Sequence, residues 1–147
     1  MTQEEKQEKR LCRENAFLLL FEASLRDDPP AELYAAAEDV GEIEINDNVR
    51  ALVEGILDKS EELDAVIASY SPKRAISRIP RVNLILLRMA IYEIKYIPQT
   101  PVNVAVSEAV DISQKYTYQE DTAFINGVLG AFARSLPKKS AATGDAT

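Results

Sequence analysis

Apolar residues recur at steps of three and four along most of this chain, which is the spacing of amphipathic helices. The stretch from residue 4 to residue 25 follows this pattern and contains neither Gly nor Pro. Pro29 and Pro30 end that helix and begin a second one, which Gly41 closes as a C-cap. No segment shows the alternating pattern of a strand. The pattern therefore predicts an all-α protein.

The middle of the chain predicts a long amphipathic segment. Asn46 or Asp47 stands where an N-cap is needed, and an apolar stripe then runs from Val49 to Tyr70. A break near Lys59-Ser60 divides this segment into two helices.

Ser71-Pro72 marks the junction between two lobes, because a proline holds the preceding residue in extended backbone. We place lobe 1 at about residues 1–70 and lobe 2 at about residues 73–136. Together they make one domain, residues 1–139. The small polar residues 140–147 are expected to form a disordered tail.

Three further helices are predicted in lobe 2, which brings the total to about seven. The first runs from Arg81 to about Tyr96. The second is expected to have Thr100 as its N-cap and Pro101 at its first helical position. The last helix is stopped by Pro137.

Composition excludes several kinds of chemistry. The 147 residues include no His and one Cys, so no disulfide can form within the chain, no Cys/His zinc site can be built and no His-based triad is possible. The Gly residues are scattered and form no phosphate-binding loop. No stretch approaches the roughly 18 to 20 apolar residues of a membrane span, and the N-terminus lacks the apolar segment of a signal peptide. We therefore expect a cytoplasmic protein without a cofactor.

Charge is unevenly distributed, although the net charge is only −7. Residues 22–64 carry 14 acidic and three basic side chains. Residues 65–92 contain no acidic residue and five basic ones, which are Lys73, Arg74, Arg78, Arg81 and Arg88. Charge runs are usually solvated helix faces, so charge alone leaves two interpretations open, a hydrated surface and a local phosphate-binding patch.

Few residues suggest catalysis. Cys12 has no His partner and is interpreted as a packing residue. Glu93 and Glu108 lie within apolar helices, where an acid/base pair is one interpretation. Buried ion pairs, for example with Arg88 or Arg13, are the interpretation that we favour.

Asn126-Gly127 is an unusual pair inside the last predicted helix. Gly costs roughly 1 kcal/mol relative to Ala in a helix interior. The apolar spacing nevertheless continues on both sides. We therefore predict that Gly127 marks the close approach of another helix, in preference to a ligand site.

Four blocks of the sequence carry a family resemblance. They are Arg10–Ala16, Leu86–Ile94, Val106–Ile112 and Phe124–Leu129, the last reading Phe-Ile-Asn-Gly-Val-Leu. In this order, over roughly residues 9–136, they resemble the NusB family of bacterial transcription antitermination factors.

The resemblance implies a non-enzymatic protein of about seven helices in two lobes. Its expected partners are the boxA element of ribosomal RNA transcripts, the small-subunit ribosomal protein NusE and the RNA polymerase antitermination complex. A homodimer is a further possibility. The implied mechanism is bridging, in which RNA and NusE each bind better in the presence of the other.

The resemblance also carries over two sets of site residues. The RNA-binding set consists of Lys9, Arg10 and Arg13 as phosphate contacts, Phe124 as a base-stacking ring, and Arg78 and Arg81 along the RNA path. The partner-binding set consists of Asn83, Leu84 and Leu87.

Two alternatives to this function are a catalytic protein and a protein-only adaptor. A ribosomal RNA methyltransferase with a NusB-like domain is disfavoured, because no Gly-rich cofactor loop follows. A protein-only helical adaptor without RNA binding stays open, because the chain is acidic overall and acidic residues interrupt its N-terminal basic cluster.

Overall fold

The computed structural model describes residues 1–137, so the tail expected at 140–147 lies outside the described residues. All regular structure in residues 1–137 is helical, which confirms the all-α class and the number of helices. The elements are α1 (Gln3–Leu25), α2 (Pro30–Val40), α3 (Asp47–Asp58), α4 (Ser60–Ser69), a 3₁₀ turn (Ile76–Arg78), α5 (Arg81–Tyr96), α6 (Val102–Tyr116) and α7 (Gln119–Ser135). In this part of the chain, no helix has the length and apolar character of a membrane span.

Local capping explains where several helices begin and end. The Asn46 side chain accepts a hydrogen bond from the Val49 backbone N–H at 2.9 Å and so caps α3. Gly41 has φ 79° and closes α2 in the left-handed conformation that Gly adopts without strain. Lys59 alone separates α3 from α4, as predicted.

Thr100 was wrongly predicted to cap α6. Pro101 occupies the N-cap position, and no side chain caps that helix end. The Thr100 hydroxyl instead donates a hydrogen bond to Glu93 at 3.0 Å. The buried Glu93 carboxylate gains from this donor, and α6 begins one residue later than predicted, so Thr100 lies outside the N-cap position.

Helix α5 lies at the centre of the molecule. It packs against α6 and α7 and against α1, α3 and α4. Its Leu86, Leu87 and Ile91 side chains are completely buried, and each such burial contributes roughly 1.5–3 kcal/mol. One continuous hydrophobic core therefore contains residues from all seven α-helices.

The predicted close approach at Gly127 is wrong, and the glycine with a close neighbour is Gly55. A Cβ atom added at Gly127 would meet nothing within 4 Å. One added at Gly55 in α3 would lie 2.1 Å from the Tyr92 hydroxyl oxygen of α5. The missing side chain of Gly55 therefore makes room for the Tyr92 side chain of α5.

Candidate nucleic-acid interface

Arg13 is the centre of a buried charge network between α1, α5 and α6. Its Nε and Nη2 atoms donate to the two carboxylate oxygens of Glu93 at 2.7 and 2.8 Å. Its Nη1 atom donates to Glu108 at 3.2 Å, and only 8% of Arg13 is exposed. The predicted ion pair with Arg13 is thus confirmed for both carboxylates.

The environment of Arg13 keeps it charged. Burial by itself lowers the pKa of the guanidinium, but the hydrogen bonds and negative charge of Glu93, with a further contribution from Glu108, outweigh that effect. The pKa of Arg13 therefore lies above its ordinary value. The guanidinium is engaged by two carboxylates, and only 10% of the Arg13 side chain is exposed.

Lys9 and Arg10 lie at the surface beside this network. Arg10 donates to Glu108 at 3.0 Å, and 64% of its side chain is exposed. Both residues line a cavity of about 520 Å³ between α1 and the start of α6, together with Lys6. Of the three N-terminal residues predicted to contact phosphate, Lys9 and Arg10 are therefore accessible and Arg13 is buried.

Arg88, the other predicted partner for the buried carboxylates, pairs elsewhere. Its Nε and Nη2 atoms donate to the two oxygens of Asp64 at 2.7 and 2.8 Å. This bidentate pair joins α5 to α4 and leaves Arg88 out of the Arg13 network. The alternative partner named for Glu93 and Glu108 is thus wrong.

A second group of cations surrounds the 3₁₀ turn. We call it the basic strip, and it consists of Lys73, Arg74, Arg78 and Arg81. Lys73, Arg78 and Arg81 are exposed, and Arg74 is half-buried. Within residues 1–137, no salt bridge joins any of the four to a carboxylate.

Phe124 of α7 lies next to this strip. Its ring is half-buried, and the guanidinium carbon of Arg74 sits 4.4 Å from the ring centroid. One face of the ring predicted to stack on RNA is thus occupied by an arginine of the same molecule. The sequence identifies Arg74 as one of the basic residues of its segment, but nothing in it shows which ring the side chain faces.

The predicted partner-binding residues differ in their accessibility. Asn83 and Leu87 are completely buried, whereas Leu84 is half-buried. The Asn83 amide donates to Asp121 at 3.0 Å, and its oxygen Oδ1 has no hydrogen-bond partner in the described part of the chain. Leu84 is thus the one member of this set with a side chain at the surface.

Asp121 organises the start of α7. It accepts hydrogen bonds from the Thr117 hydroxyl at 2.6 Å and from the Asn83 amide at 3.0 Å. These two bonds lower the pKa of Asp121, so the carboxylate is ionised at neutral pH. Its oxygens serve the α6–α7 turn and form no salt bridge with Arg74.

The structure brings the predicted site residues together in two separate places. Arg10 and Arg13 meet at Glu108, whereas Phe124 meets the basic strip through Arg74. Within residues 1–137, no group of three or more His, Cys, Asp or Glu side chains is placed to hold a metal ion. Burial raises the pKa of the Cys12 thiol above its ordinary value, which disfavours the reactive thiolate.

The fold and these surfaces define a class, that of all-helical proteins with a cluster of basic side chains beside an aromatic ring. The family model that matches the chain is that of the NusB family, over residues 10–134. The chain belongs to the NusB family.

Individual relatives agree with this assignment. The transcription antitermination protein NusB of Salinispora arenicola is 37% identical over 133 residues, which cover 85% of this chain and 94% of the relative. A crystal structure of the antitermination factors NusB and NusE in complex with double-stranded RNA superposes with a TM-score of 0.76 and 26% identity, covering 87% of this chain and 97% of that chain. NusB from T. maritima has a TM-score of 0.75 and 27% identity, covering 88% and 93%.

Proposed function

We propose that this chain is a cytoplasmic, non-enzymatic transcription antitermination factor. It binds boxA RNA of ribosomal RNA transcripts together with NusE and helps RNA polymerase to resist termination. The observation that carries the proposal is the match to the NusB family over residues 10–134, nearly the whole chain. The structural similarity to a NusB that is bound to NusE and RNA supports it.

The RNA surface in this proposal consists of exposed cations and one ring. Lys9 and Arg10 contact phosphates at the N-terminal site, and Arg78 and Arg81 contact them at the basic strip. Phe124 contributes aromatic surface beside the strip. Arg13 serves this surface indirectly, because its bonds to Glu93 and Glu108 fix α1 against lobe 2.

For the partner surface, we propose that Leu84 contacts NusE directly. Leu87 and Asn83 support that contact from beneath, because both are completely buried. The mechanism is bridging: RNA and NusE each bind with a higher affinity when the other is present, and the gain is one coupling free energy that both share.

Fluorescence anisotropy of a labelled boxA RNA tests the proposal. The protein is titrated with and without NusE from the same organism at two salt concentrations, and a scrambled RNA of equal length is the control. We expect a preference for boxA that increases with NusE and an affinity that falls with salt. A folded protein that binds NusE but no RNA in any condition would support the protein-only adaptor instead.

A further inference from the structure

Arg74 is held in place by its own backbone. Residues 71–74 form a turn, with Pro72 at the second position, in which the Arg74 N–H donates to the Ser71 carbonyl at 3.2 Å. The buried Ser71 hydroxyl donates back to the Arg74 carbonyl at 3.1 Å. The guanidinium is thus presented from a fixed turn, which reduces the conformational entropy that a ligand contact would cost.

The position of Arg74 over Phe124 changes which group meets a ligand. With its guanidinium carbon 4.4 Å from the ring centroid, Arg74 covers the ring face at the basic strip. A ligand that arrives on this side meets the guanidinium before it meets the ring. A guanidinium is planar and stacks on aromatic faces, so its outer face can accept a second planar group.

The charges around Arg74 favour an anionic ligand. Lys73, Arg78 and Arg81 are exposed, and none forms a salt bridge within residues 1–137. Asp121 is ionised and interacts electrostatically with Arg74, but it accepts its hydrogen bonds from Thr117 and Asn83 and forms no salt bridge with the strip within residues 1–137. The ligand must therefore combine repeated negative charge with a planar face, which is the chemistry of single-stranded RNA.

We propose that a base of single-stranded RNA stacks on the guanidinium of Arg74, which Phe124 positions from beneath, while the other cations of the basic strip bind the flanking phosphates. The inference rests on the proposed function and deepens it. It makes Arg74 the residue that contacts the base and Phe124 a positioning residue.

A cycle of protein variants and modified RNAs tests this assignment. Single abasic nucleotides are placed in turn along the boxA RNA, and each RNA is titrated with the wild-type protein, Arg74→Lys and Phe124→Leu. Arg74→Lys keeps the charge but removes the plane. We expect one abasic position to weaken wild-type binding at least about 5-fold, the lower limit for a stacked base. In both variants, an abasic nucleotide at that position should no longer weaken RNA binding. The salt dependence of RNA binding by Arg74→Lys should equal that of the wild type.

Lobe 1 provides the matched control. Arg50 lies 4.9 Å from the centroid of the Tyr34 ring, so Arg50→Lys makes the same chemical change at a pair remote from the strip. This variant should bind every RNA as the wild type does. Circular dichroism melts verify that all variants are folded.

The outcomes separate this inference from the proposed function. If Arg74→Lys responds to every abasic RNA as the wild type does, the stacking role of Arg74 is overturned, and the proposed antitermination function is unaffected. If Phe124→Leu alone removes the abasic effect, the base contacts the ring itself and the inference is wrong. If Arg74→Lys loses affinity equally for all the RNAs, Arg74 contacts phosphate or a protein. If the wild type binds no RNA at all, both proposals fail.

Discussion

Arg13 illustrates how a single buried cation fixes the relative positions of three helices. It satisfies Glu93 of α5 and Glu108 of α6 with three hydrogen bonds. Such a pair has little net advantage over well-packed apolar residues, because both charges must be dehydrated. Removal of Arg13 alone is costly, since the Glu93 and Glu108 carboxylates are then buried without a counter-charge.

We therefore expect Arg13→Ala to lower the free energy of unfolding by about 3–5 kcal/mol. Arg10→Ala is the control in the same network. It should cost at most about 1 kcal/mol, since 64% of the Arg10 side chain is exposed. Urea denaturation followed by circular dichroism gives both values. An Arg13→Ala protein of nearly wild-type stability that has lost RNA affinity would return Arg13 to the phosphate contacts.

Features of single elements were predictable from sequence where the forces are local. The Gly41 cap, the Asn46 cap and the break at Lys59 depend on a few neighbouring residues. Thr100 was wrongly assigned because its hydroxyl donates to Glu93, a partner seven residues away, and caps no backbone N–H of α6. A local pattern contains no information about that partner.

For contacts between elements, the sequence predicted the type of interaction but not the partner residue. The pattern indicated buried carboxylates with arginine partners, but it did not decide between Arg13 and Arg88. The cation over Phe124 was missed for the same reason, because Arg74 approaches from a turn 50 residues earlier in the chain. Periodicity identifies the face that a helix buries, but not which residue of another element lies against it.

Gly55 gives a prediction at the scale of the helix pair α3–α5. Ala is favoured over Gly in a helix by roughly 1 kcal/mol, but the new Cβ would lie 2.1 Å from the Tyr92 hydroxyl oxygen and 2.6 Å from Cζ. The Tyr92 ring must move, and it also packs against Tyr96 with 5.1 Å between the centroids. We expect Gly55→Ala to destabilise the protein by about 1–3 kcal/mol in urea denaturation.

Two controls test that explanation. Gly127→Ala should stabilise the protein by roughly 0.5–1 kcal/mol, because its Cβ would meet no atom within 4 Å. In a Tyr92→Leu background, Gly55→Ala should lose most of its cost, which a double-mutant cycle measures. An equal cost in both backgrounds would show that Tyr92 is not the obstacle.

At the scale of the whole molecule, charge is divided between the lobes. Residues 22–64 have a net charge of −11, and residues 65–92 have a net charge of +5. Arg88 is neutralised by Asp64, so the accessible positive charge of the second segment is the basic strip. An approaching RNA is therefore attracted to lobe 2 and repelled by much of lobe 1.

This charge distribution predicts that the salt dependence of RNA binding comes mainly from the basic strip, where bound phosphates release their counterions. Each phosphate contact on single-stranded RNA contributes about 0.7 to the slope of log K against log salt. Lys73→Gln, Arg78→Gln and Arg81→Gln together should reduce that slope by about 2, as measured by anisotropy across a salt series. The control replaces Arg26, Arg50 and Lys59, the three basic residues of the acidic segment, by Gln. It changes the net charge equally and should leave the slope unchanged. If both triple variants reduce the slope alike, RNA responds to the overall charge of the molecule, and the strip is not a binding surface.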